Sequence, residues 1–128
     1  MSKSIIDVQE TVINILTVAG YSNIKDNMLV GFTESETYPV VVIDIDSSVS
    51  MNISSGAYTP FLHYLTISCY QKASIGISEA RKDAVDTLNA VLSIINLEIV
   101  ENNISYVDTI MNNIRLCGAG CLVEIGAY

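Results

Sequence analysis

Tyr38-Pro39-Val40-Val41-Val42-Ile43-Asp44-Ile45-Asp46 narrows the choice of fold more than any other segment. A run of β-branched residues is stiff at χ1 and packs well on a pleated surface, so it predicts a strand. Pro39 has no amide proton to donate and marks the beginning of that strand rather than its middle. A two-residue period puts Val41, Ile43 and Ile45 on one face. Val40, Val42, Asp44 and Asp46 take the other. That second face is apolar first and acidic later, as expected of a strand that runs out from its cover into solvent or a ring interior.

The other segments have to supply partners for this strand. Phe61 to Tyr70 predicts a second, with His63, Leu65, Ile67 and Cys69 on one face and Leu62, Tyr64, Thr66, Ser68 and Tyr70 on the other. Met28-Leu29-Val30 predicts a short strand, and Glu34 to Thr37 a solvated turn. Two stretches change to the helical period. Ile5, Val8, Val12, Leu16 and Ala19 line one face of a helix from Ser4 to Ala19, capped by Ser4 and stopped by Gly20. Ala80, Ala84, Val85, Leu88, Val91, Leu92 and Ile95 line a helix from Ser78, its expected cap, to Ile95. Beyond it, Glu98 to Val100, Val107 to Leu116 and Cys121 to Ile125 predict two or three strands, with Gly118 and Gly120 at a turn. The expected order is α-β-β-β-α-β-β in one domain, residues 1–128. Short connections favour a mostly antiparallel sheet with both amphipathic helices on one face, an α+β fold.

Such a fold leaves the second sheet face short of cover. The chain is 50% hydrophobic and only 16% charged. That surplus of apolar surface predicts burial against another subunit, since permanent interfaces resemble a core cut in half. With 14 acidic and six basic residues, the net charge is −8. The basic residues are scattered, which argues against a grip on a phosphate backbone. No stretch approaches the roughly 20 apolar residues of a membrane-spanning helix. The start, MSKSIIDVQETV, lacks the pattern of a signal peptide. Three cysteines, Cys69, Cys117 and Cys121, are then expected to be reduced and intracellular.

Chemistry-bearing constellations are sparse. His63 is the lone histidine, and no nucleophile-elbow motif accompanies it. Cys117 and Cys121 lack zinc-finger spacing, so buried small side chains are the expected role. Asp44 and Asp46 could hold a divalent cation, but no third acidic ligand is indicated. The G-x-G at Gly118 to Gly120 precedes a strand, whereas a dinucleotide loop follows one. No catalytic residue, metal site or cofactor is expected. The segment Ser47 to Pro60 is rich in serine, yet Val49, Met51 and Ile53 alternate with Ser50 and Asn52. It predicts a hairpin arm, with Ser47, Val49, Met51, Ile53 and Tyr58 as its contact residues.

The whole pattern resembles the tail terminator (tail completion) proteins of long-tailed bacteriophages and phage-tail-like particles. The features that carry it span nearly the whole chain. They are the opening helix to Ala19, the Tyr38 to Ile43 strand after an acidic turn, the variable arm, and the Leu62 to Lys72 strand. The Glu79 to Ile95 helix and a final hairpin ending Val123-Glu124-Ile125-Gly126-Ala127-Tyr128 complete it. The resemblance implies a non-enzymatic homo-hexameric ring in the virion tail, assembled in the host cytoplasm. Its implied partners are the tail tube protein and a neck or head-completion protein. DNA would pass through an acidic lumen, which Asp44 and Asp46 could line, without specific binding. A neck adaptor or tube protein is the near alternative. A small metal-dependent enzyme using Asp44 and Asp46, or a ligand-binding dimer, is the alternative of another class.

Overall fold

The computed structural model describes residues 4–28, 31–50, 61–95, 98–99 and 104–125. The elements are α1 (Ile5–Val18), β1 (Ile24–Lys25), β2 (Val40–Ser50), β3 (Phe61–Lys72), α2 (Ile77–Ile95), β4 (Glu98–Ile99), β5 (Ser105–Met111) and β6 (Ile114–Ile125). The fold is α+β in the expected order, with three strands after the second helix. One six-stranded sheet runs β1-β2-β3-β6, and both β4 and β5 pair with β6. Every pairing is antiparallel except β1 with β2.

The helix ends follow from local chemistry. Ser4 caps α1 reciprocally: its hydroxyl accepts the Asp7 N–H, and the Asp7 carboxylate accepts the Ser4 N–H. At the other end, Tyr21 N–H donates to Leu16 and Gly20 N–H to Thr17. Gly20 adopts the positive φ of 108° that this terminator requires. The second helix starts one residue before its expected cap. Ile77 is already helical, Ser78 lies in the first turn, and the Gly76 carbonyl accepts the Ala80 N–H.

Val8, Val12 and Leu16 from α1 and Ala84, Leu88 and Val91 from α2 bury against Val41, Ile43, Leu65, Ile67, Cys69, Cys121 and Val123. Fully burying each aliphatic side chain is worth about 1.5–3 kcal/mol before entropy is counted. On the opposite face, one end of the sheet carries a second cluster of Phe32, Val40, Val42, Ile114 and Leu116. Phe32 is fully buried and stands edge-on to Tyr70, with ring centroids 5.3 Å apart. The loop before β2 therefore covers the Val40 and Val42 end, and burial falls away beyond it. Asp44 is half-buried, and Asp46 to Val49 are exposed.

Two local expectations are corrected. The short early strand lies at Ile24–Lys25, because pairing beside β2 selects those residues. Met28 is outside it, and residues 29–30 are outside the described residues. Gly118 and Gly120 are interior to β6 rather than at a turn. A Cβ on Gly118 would sit 2.5 Å from the Tyr70 ring, so the strand needs glycine for a close side-chain approach. The turn is instead Asn112-Asn113, both at positive φ (52° and 64°), as a two-residue type I′ hairpin demands. Ser47 to Ser50, the first part of the expected arm, extend β2 and pair antiparallel with β3 as far as Ser50 opposite Phe61.

Candidate subunit interface

β5 extends the sheet beyond its helical cover. α2 packs on β3 and β6. It is linked to β5 by the Arg81 ion pair with Asp108, both side chains more than half exposed. Tyr106 and Ile110 stand on the helix-side face of β5, opposite Ala119 and Arg115. Val107, opposite Gly118, is on the other face. They are 67%, 64% and 48% exposed. A solvent-exposed, apolar edge strand without lysine or proline is a ready template for pairing with another chain. An open groove of about 510 Å³ lies beside it, lined by Ile77, Asp108, Ile110 and Arg115 among others.

The opposite edge is open along half its length. β1 pairs only with Val41 and Val42. Next to it, the Gln9 side-chain amide donates to the Ile43 carbonyl at 2.7 Å and to the Asp26 carbonyl at 2.9 Å. Among the described residues no strand pairs with the outer side of β2 from Asp44 onward, or with the outer side of β5. The β2 ladder skips Asp46: Ile45 opposes Leu65, and Ser47 opposes Tyr64. This bulge breaks the two-residue period. Ile45 keeps to the helix side, but Val49, opposite Leu62, changes to the helix-free side.

The residues singled out from sequence are therefore distributed as follows. Ser47 and Val49 are exposed on the open half of β2. Met51, Ile53 and Tyr58 lie outside the described residues. Asp44 accepts the Ile45 N–H, and Asp46 accepts the Ser47 hydroxyl. No group of three or more metal-ligating residues occurs among the described residues. His63 is buried, with its Nδ1 2.8 Å from the Ser48 hydroxyl. Burial pushes the Cys69 thiol up to about 12 and the Cys121 thiol to about 11, which suppresses the thiolate needed for nucleophilic or metal chemistry. No described helix is long and apolar enough to cross a membrane.

Sequence reasoning missed Tyr106, Val107 and Ile110 as exposed residues of an edge strand. Their alternation predicts a strand but is silent on which strand becomes the uncovered edge. The chain matches no protein-family model and no curated protein by sequence. Fold and surface thus define a small α+β sheet protein with an apolar open edge.

Proposed function

We propose that the chain is a structural subunit that closes with copies of itself into a ring of the tail-terminator kind, capping a phage tail tube and offering a docking surface for the head or neck. The observation that carries this reading is the exposed apolar edge formed by Tyr106, Val107 and Ile110. An edge of this composition is stable in water when a neighbour covers it. A closed rotation buries the same surface on every copy. The α+β order agrees with what the resemblance implies. A net charge of −8 per subunit suits a passage through which DNA slides without being held.

Native mass spectrometry of the purified protein, with negative-stain imaging, tests the proposal. A closed ring, expected at six copies of the 13.9 kDa chain, supports it. A monomer at micromolar concentration that also ignores isolated tails ends it. Added to tails, a terminator gives one ring at one end, whereas a tube protein polymerises along the length.

A further inference from the structure

We infer that the ring seam is a strand-to-strand joint, in which the outer edge of β5 pairs antiparallel with the Asp44 to Ser50 edge of β2 in the next copy. This inference rests on the ring reading and adds the contact that closes it.

Strand direction is the first argument. From β2 through β3 and β6 to β5, each pairing is antiparallel, so β2 and β5 point in opposite directions. Rotation about an axis along the strands preserves those directions. The next copy's β2 then arrives antiparallel to β5, with its helices on the same side. No flip is needed, and the sheet continues from subunit to subunit.

Length and pattern are the second argument. β5 runs Ser105–Met111, and the open part of β2 runs from Asp44 to Ser50. Opposing Ile110 to Ile45 places two exposed isoleucines together on the helix side. Past the Asp46 bulge, the same register opposes Val107 to Val49 on the helix-free side, where both are about half exposed. Without the bulge, Val49 would fall on the wrong face. Directly opposed apolar pairs of this kind are the unit of sheet stabilisation.

Charge is the third argument. Arg115, opposite Ile110 on β6, is exposed and makes no ion pair among the described residues. The register brings it towards Asp46 of the neighbour, which is likewise unpaired with any cation. A two-fold joint of β5 with itself along its whole length would oppose Asp108 to its own copy, an unfavourable like-charge pair. The joint is therefore head-to-tail, as a ring requires.

Two variants test the seam, each placed on exposed residues so that the fold survives. Val107→Lys with Ile110→Lys spoils β5 and leaves β2 intact. Ile45→Lys with Val49→Lys does the reverse. Each alone is expected to lose the ring and run as a monomer, with its circular dichroism unchanged. Mixed in equal amounts, they retain one good joint and are expected to form a 1:1 heterodimer and nothing larger. In parallel, the double variant Val49→Cys/Val107→Cys, in an otherwise unchanged chain, is oxidised and run on a denaturing gel. A ladder of linked subunits up to ring size is expected. Rings of unchanged protein without that ladder, and without the heterodimer, overturn the seam but leave the ring. An unchanged protein that is only monomeric overturns both. A Lys variant that fails to fold shifts the decision to the cysteine ladder alone.

Discussion

Gln9 shows how one polar side chain completes a sheet edge. It projects from the buried stripe of α1, is only 6% exposed, and holds the Ile43 carbonyl where β1 ends. A buried carbonyl without a donor costs about 1–3 kcal/mol. Gln9→Leu is expected to lower stability by that amount, read as a lower urea midpoint with an unchanged slope. Gly118 is the steric counterpart, since the Tyr70 ring occupies the space of its missing Cβ. Gly118→Ala is expected to cost about 1–3 kcal/mol by overpacking. Thermal unfolding should show a smaller penalty for that change in a Tyr70→Ala background, because the two sites share one volume. Glu36 reports on pH. Burial works to raise its carboxyl, but the Lys25 ammonium, the Thr33 N–H and the Asn23 amide outweigh it and hold the pKa below 4.5. A depressed carboxyl stabilises the fold fully above the unfolded value and loses that contribution as pH falls through the folded one. Urea titrations of the unchanged protein and Glu36→Gln should thus differ at pH 7 and converge in acid once pH falls below the lowered folded value.

The β5–β6 hairpin is the element on which the proposed interface depends. Its two-residue turn places Asn112 and Asn113 at positive φ, and the Asn112 amide also donates to the Phe32 carbonyl at 3.0 Å. One turn therefore sets the hairpin register and ties it to the second core. Glycine suits the second turn position better than asparagine. Asn113→Gly is expected to stabilise the fold by up to about 1 kcal/mol, and Asn113→Val to destabilise it by more, both measured by thermal unfolding. If β5 makes the seam, a slipped hairpin also damages assembly. Asn113→Val should then dissociate rings at concentrations where the unchanged protein holds them, as seen by sedimentation.

At the scale of the molecule, a formal charge of −8 opposes association while the open edge favours it. Raising salt from about 10 mM to 0.15 M shortens the Debye length from roughly 30 Å to 8 Å. Repulsion between whole subunits is screened more than short contacts at a closed seam. Sedimentation equilibrium should therefore show tighter assembly at the higher salt. Weaker assembly would mean that exposed ion pairs, rather than the apolar edge, hold the subunits together.

Periodicity alone determined the two helices, the two long strands around Val41 and Leu65, and the α+β order. These are local properties, set by whether side chains recur every two residues or every three to four. Three features were decided only by tertiary structure. Gly118 and Gly120 looked like a turn because glycine breaks strands, yet both lie inside β6, where the Tyr70 ring crowds Gly118 and Ser68 crowds Gly120. Val49 shares a face with Ile45 on paper, yet a bulge at Asp46 turns it to the opposite one. The apolar residues of β5 read like any half-buried strand, and only the sheet order leaves them at the edge. Each depends on what a distant segment places alongside, and a period measured within one segment carries no trace of that neighbour.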